Sequence, residues 1–529
     1  MLCLENIFMG HDRACAVHGI ALGVFATLAM FASFASADPL TIKTQQGKTH
    51  GKLINDGKVR AFLGIPYAAP PVGDRRWKEP QPPAKWKGVR DATKYGARCM
   101  QGQVFDDMVF QDAGPSEDCL YLNVFSPAGA KARTRLPIMF WIHGGGYKGG
   151  SASEPRHDGD FLPTKGVVLV TINYRLGVFG FLATTDLANE AGGPAGDYGL
   201  TDMIAALRWV RQNIAQFGGD PGNVTIFGES AGSEAVATLM ASPLAQGLFQ
   251  KVIGESGSGM NVGAADRPTL AAREQSEQQW VNTLGVTTLA QLRALPAATI
   301  LTAATASGAP SFPVVVDGTV LTQPVAQTYA EGRQAHVPLL AGWNRDEGGS
   351  LNEPMTVDAW KDNAARLFGD NAQEFLALYP ADSDEQAQRS AMDYNGDTFI
   401  AFSTWKWIEA QVKTGNAPVY RYHFELAAPL SKYHPSSFAF HSDDIEYVFG
   451  TLDTRPDAVW RPEDRKLSAE MMEYWTNFAK TGEPNAPGLP DWPRYDKTGE
   501  VMHLDADSMA SPDTTRARYE FLLEHKPAK

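Results

Sequence analysis

Apolar, β-branched runs recur along the chain at residues 138–142, 167–172, 224–227, 337–341 and 419–424, with helical patterns between them. Most are apolar throughout rather than alternating. A strand covered on both faces requires that composition, so the pattern predicts a mainly parallel central sheet. Between the second and third runs, Met203, Leu207, Val210, Ile214 and Phe217 recur at helical spacing, and Gly218-Gly219 marks the stop. A strand–helix–strand order places the chain in the α/β class, with helices on both faces of the sheet. No linker or internal repeat interrupts the pattern, so residues 38–529 read as one large catalytic domain. The Pro-rich stretch 66–83 reads as extended surface chain.

The first 37 residues follow a different logic. Arg13 precedes an apolar stretch from Ala14 to Phe34, and Ala35-Ser36-Ala37 supplies the small residues that a signal peptidase accepts. We therefore expect a signal peptide over residues 1–37, cleavage before Asp38, and an exported protein, periplasmic or secreted. A retained membrane anchor is the competing reading. No later stretch is long and apolar enough to cross a bilayer.

Charge narrows the partners. Among 529 residues the formal net charge is -13, which argues against nucleic acid or an anionic membrane surface. Of four cysteines, Cys3 and Cys15 leave with the signal, and Cys99 and Cys119 remain. An oxidising compartment allows these two to pair, for a gain of about 3 kcal/mol; two free buried thiols are the alternative.

The chemistry concentrates in two glycine-rich motifs. Gly228-Glu229-Ser230-Ala231-Gly232 is the only G-x-S-x-G in the chain. Residues 224–227 form a strand pattern just before it, and residues 231–240 can form a helix just after. A sharp strand-to-helix turn in that order exposes a serine hydroxyl for nucleophilic attack and aims a helix N-terminus at developing negative charge. Gly254-Glu255-Ser256-Gly257-Ser258 imitates the motif but lacks the last glycine, so Ser256 reads as a supporting serine. His143-Gly144-Gly145-Gly146 follows the run 138–142. Glycines in series bare their N–H groups to a substrate oxyanion. His143 itself reads as structural.

Further stretches carry a resemblance to a known family. They are Phe62-Leu63-Gly64-Ile65-Pro66-Tyr67-Ala68, Pro70-Pro71-Val72-Gly73, Glu117-Asp118-Cys119-Leu120-Tyr121-Leu122-Asn123-Val124, Asn173-Tyr174-Arg175 and Phe217-Gly218-Gly219-Asp220-Pro221. Tyr447-Val448-Phe449-Gly450 and Trp475-Thr476-Asn477-Phe478-Ala479 complete the set. With these the chain resembles the type B carboxylesterases, the family of cholinesterases and bacterial para-nitrobenzyl esterases, over nearly all of residues 38–529.

The resemblance implies an α/β-hydrolase fold and a serine carboxylic ester hydrolase acting on a small-molecule ester. It implies a triad of Ser230, Glu347 and His441, oxyanion donors from Gly145, Gly146 and Ala231, and an acyl-enzyme intermediate. It also implies a Cys99–Cys119 bridge and ion pairs Arg76–Glu117 and Arg175–Asp202. No cofactor or metal is implied, and the chain shows no clustered His/Cys ligand spacing.

Asp346 competes with Glu347 for the acid, and His423, His434 and His503 compete with His441 for the base. A serine amidase or peptidase on the same fold, and a non-catalytic binding relative, are the rival functions. The loop from Met100 to Asp118 holds Phe105, Met108 and Phe110 but no Trp, which argues against choline esters and for an apolar pocket wall.

Overall fold

The computed structural model describes residues 38–261, 268–349, 351, 353–432 and 437–528. The expected signal segment 1–37 and His434 lie outside the described residues. Residues Pro39–Lys529 form one compact unit.

Its centre is an eleven-stranded sheet built from β1 (Lys52–Ile54), β2 (Val59–Pro66), β3 (Tyr121–Pro127), β4 (Leu136–Ile142), β5 (Val168–Ile172), β6 (Gly219–Glu229), β7 (Lys251–Glu255), β8 (Leu339–Asn344), β9 (Val419–Phe424), β10 (Glu500–Leu504) and β11 (Met509–Pro512). Across the sheet the order is β11-β10-β9-β8-β7-β6-β4-β5-β3-β2-β1. The pairs from β5 through β4, β6, β7, β8 and β9 to β10 are all parallel, and the outer pairs are antiparallel. The α/β-hydrolase expectation of a mainly parallel sheet therefore holds.

The all-apolar runs are explained by what covers them. Along β4, Ile138, Phe140 and Ile142 join one core while Met139 and Trp141 join another. The first core packs against the helices Tyr198–Asn213 and Ala231–Ala241, and the second against Asp444–Phe449 and Pro462–Thr481. Alternation puts successive residues on opposite faces, so a strand buried on both has no polar position to spare.

The helical pattern after β5 appears as Tyr198–Asn213, continues as a 3-10 turn over Ile214–Phe217, and stops at Gly218 with φ 98°. The run expected at 337 begins two residues late, at Leu339. Pro338 has no N–H for the ladder, although its carbonyl still accepts from Val252 at 3.0 Å.

The stretch 66–83 is a correction. It is irregular, as expected, but it is not merely surface chain: Tyr67, Arg76 and Trp77 are buried. Arg76 pairs with Glu117 at 2.5 Å and donates to the carbonyls of Arg293 and Leu295, while Trp77 donates to the Val178 carbonyl at 2.8 Å. Proline content marked the irregular backbone correctly and said nothing about what packs over it.

Candidate active site

Ser230 occupies the turn between β6 and the helix Ala231–Ala241, with φ 56° and ψ -121°. This left-handed conformation is costly for a residue with a Cβ, and it persists only where the surroundings hold it. They do so from both sides: the Ser230 N–H donates to the Glu255 carbonyl at 2.8 Å, and the Ser230 carbonyl accepts from Glu234 at 2.9 Å. The turn also needs the last glycine of its motif. A Cβ on Gly232 would lie 2.0 Å from the Ile142 carbonyl oxygen, so only glycine lets the new helix start this close to β4.

The two partners that the resemblance implied for Ser230 meet it. His441 Nε2 lies 2.9 Å from Ser230 Oγ, and His441 Nδ1 lies 2.6 Å from Glu347 Oε2. A carboxylate only accepts, so Nδ1 carries the proton and Nε2 is left to accept from the serine hydroxyl. The second Glu347 oxygen accepts from the Asn344 N–H at 2.8 Å, which fixes the carboxylate at the end of β8.

The competing residues are engaged elsewhere. Asp346 is paired with Arg345 and Arg389 and accepts from the Ala439 N–H at 2.9 Å. His423 and His503 both turn to Glu425. Ser256 is fully buried and has no access to a substrate.

A second carboxylate lies beside His441. Glu229 Oε1 approaches His441 Nε2 at 3.2 Å without making a hydrogen bond, so its influence is electrostatic. Burial pushes the Glu229 carboxyl up to about 8, against the pull of His441. For His441 burial alone favours the neutral ring, but the charges of Glu347 and Glu229 outweigh it and raise the imidazole above its ordinary value.

His143 behaves differently. Burial lowers it to about 4, and its ring stacks on Tyr174 at 4.4 Å, which makes it a neutral packing element.

The glycine loop after β4 turns at Gly145 (φ 97°) and Gly146 (φ 61°). A Cβ on the preceding Gly144 would lie 3.1 Å from Ser230 Cβ, so the loop passes directly beside the serine. Among the described residues neither the Gly145 nor the Gly146 N–H is committed to a hydrogen bond. Gly145, Gly146, Ala231, Ser230 and His441 line one cavity of about 700 Å³.

Its apolar wall includes Phe105, Met108, Phe312, Val314, Phe399 and Ile400. Phe105 and Met108 come from the loop closed by the Cys99–Cys119 disulfide. Phe110 of the same loop does not join them and lies under the Arg98 guanidinium at 4.5 Å. Arg175 pairs with the buried Asp202 at 2.7 Å, as Arg76 does with Glu117.

Sequence reasoning passed over several of these residues. Glu229 was visible as the second motif residue, and its burial beside His441 was not. Phe399, edge-on to the His441 ring at 5.2 Å, sits in a π-helical turn over Asp397–Ala401, and no periodicity announces it.

Comparison with known proteins identifies the family. Residues 38–522 match the model of the carboxylesterase family. The fumonisin B1 esterase of Sphingopyxis macrogoltabida is 36% identical over 500 residues, covering 88% of this chain and 86% of that protein. The para-nitrobenzyl esterase of Bacillus subtilis (strain 168) is 36% identical over 509 residues, covering 92% and 99%. A solved PNB esterase structure superposes with a TM-score of 0.75 at 35% identity, covering 92% of this chain and 100% of that one. The chain belongs to the type B carboxylesterase family, and it is a carboxylic ester hydrolase with the α/β-hydrolase fold.

Proposed function

We propose that the chain is exported after loss of residues 1–37 and cleaves small-molecule esters through a Ser230 acyl-enzyme. The observation that carries the mechanism is the hydrogen-bonded line Ser230–His441–Glu347, at 2.9 and 2.6 Å.

His441 Nε2 takes the hydroxyl proton as Ser230 Oγ attacks the ester carbonyl, and the carbonyl π electrons move to oxygen. The N–H groups of Gly145, Gly146 and Ala231 receive that oxyanion, each donor being worth about 3 kcal/mol of barrier. The protonated imidazole gives its proton to the departing alkoxide, and Glu347 stabilises the cation while holding the ring's tautomer. Water, activated by the same nitrogen, then cleaves the acyl-enzyme. The apolar wall of Phe105, Met108, Phe312 and Phe399 suits esters with an aryl or alkyl part.

A fluorophosphonate probe and para-nitrophenyl acetate test this reading together. Ser230→Ala is expected to lose labelling and about 10⁴-fold or more in turnover, with Ser256→Ala retaining both. Parental turnover by Ser230→Ala would overturn the mechanism. A panel containing para-nitrobenzyl esters and fumonisin B1, each with a matched amide where one exists, separates ester from amide preference. Faster amide turnover would replace esterase with amidase as the principal activity of the site. Mass measurement of the protein recovered outside the cytoplasm should give an N-terminus at Asp38, and a cytoplasmic, unprocessed chain would refute export.

A further inference from the structure

Two histidines and a glutamate, on strands three and four positions across the sheet from the one that leads to Ser230, form a second chemical centre. His423 of β9 and His503 of β10 are direct register partners in the parallel ladder. Side chains alternate faces along a strand, so Glu425, two residues after His423, returns to the face that both histidines share. The Glu425 N–H donates to the Leu504 carbonyl at 2.9 Å, which ties the glutamate to the neighbouring strand. All three side chains converge: Glu425 Oε1 lies 2.7 Å from His423 Nδ1 and 2.6 Å from His503 Nδ1. The three ligand atoms lie within 4.8 Å of one another, and among the described residues no other His, Cys, Asp and Glu group meets that condition.

We propose that His423 Nδ1, His503 Nδ1 and Glu425 bind one borderline divalent transition-metal ion, Zn²⁺ being the natural occupant. Two imidazole nitrogens and one carboxylate are the donor set of three-ligand zinc sites, and the hard ions Mg²⁺ and Ca²⁺ prefer oxygen alone.

Zinc–ligand bonds of about 2.0–2.2 Å set tetrahedral ligand atoms about 3.3 Å apart, so the three groups need to part by only about 0.6 Å. They have room to do so, because their side chains are 17%, 22% and 23% exposed. Water completes the coordination from that open side. His423 also borders a cavity of about 420 Å³.

The surroundings already provide outer support. Ser511 Oγ lies 2.8 Å from His503 Nε2. Coordination through Nδ1 moves the ring proton to Nε2, where it donates to Ser511; an oriented ligand of this kind is what metal-bound histidines require. The tautomer change moves a proton within the ring, so the step needs no other reactant. The ion would clamp β9 to β10. His423 and Glu425 are two residues apart, but His503 lies 78 residues beyond Glu425, so no clustered His/Cys spacing marks the set along the chain.

The test uses the mature full-length protein, dialysed against a chelator and titrated calorimetrically with ZnCl₂. One Zn²⁺ per chain is expected, with a rise in Tm on binding and visible d–d absorption when Co²⁺ replaces Zn²⁺. His503→Gln and Glu425→Gln should each weaken binding tenfold or more, and Ser511→Ala about tenfold, in line with outer-shell losses. Ester turnover by the His503→Gln variant reports that it is folded, and it should be unchanged without metal. No Zn²⁺ binding by the parent, or equal binding by parent and the folded His503→Gln variant, would overturn the proposal. Zinc that inhibits turnover equally in both would place the ion at His441 and also overturn it.

Discussion

The Cys99–Cys119 bridge offers a measurable separation between stabilising the fold and shaping the pocket. It closes a loop with a sequence separation of 20. Confining a loop of that length in the unfolded chain removes about 11 cal/mol/K, or about 3 kcal/mol at 25 °C. Unfolding entropy of about 2.1 cal/mol/K per residue, over roughly 490 residues, amounts to about 1 kcal/mol/K, so a 3 kcal/mol loss converts to a Tm decrease of only about 3 °C.

The folded loop has other restraints. Arg98 pairs with Asp112 at 2.6 Å, Gln101 exchanges two hydrogen bonds with the Gly150 backbone, and the Gln111 N–H donates to the Ser153 carbonyl. Those contacts hold Phe105 and Met108 near the cavity without the bridge. The double variant Cys99→Ser/Cys119→Ser should therefore lose about 3 °C in Tm, with kcat/KM for para-nitrophenyl esters at 25 °C within about twofold of the parent. Scanning calorimetry at one fixed rate and initial-rate kinetics on the same preparation measure both. A tenfold fall in kcat/KM with Tm unmoved would refute the reasoning, because the bridge would then act on the native loop rather than on the unfolded chain.

Three further outcomes follow from the site and its supports. Glu229→Gln removes a buried carboxyl whose ionised form favours the imidazolium form of His441, so the acid limb of the kcat/KM–pH profile should move down; an unmoved or raised limb refutes the electrostatic role. Arg175→Ala strands the fully buried Asp202 carboxylate and should cost about 3–5 kcal/mol in denaturant unfolding at neutral pH, whereas a loss under 1 kcal/mol would show that water reaches Asp202. Phe399→Ala opens the wall beside His441 and should raise KM for aryl esters more than for acetate esters, with equal effects on both refuting a contact with the substrate.

The reach of the sequence is clearest where neighbouring residues carry the same chemistry. The buried strands were legible because burial on two faces leaves a composition that no surface segment shares. The serine turn was legible because close approach to the Ile142 carbonyl admits only glycine at 232. Asp346 and Glu347, in contrast, are both acidic and adjacent, and no property of the residues alone assigns one to His441; the family resemblance supplied the choice. The packing shows what the choice depends on. At the end of β8 successive side chains point opposite ways, so one carboxylate reaches Arg389 and the other reaches His441.

The same dependence on strand neighbours hid the remaining features. Phe312 and Phe399 enter the cavity from irregular or π-turn backbone, where no period exists to read. His423 and His503 meet only because β9 and β10 are adjacent and in register. Chemistry repeated along one segment is visible in a sequence, but chemistry assembled across a sheet becomes visible only once strand order and register are known. Residues whose polar side chains share a sheet face without serving the serine are accordingly where unassigned function is best sought in this fold.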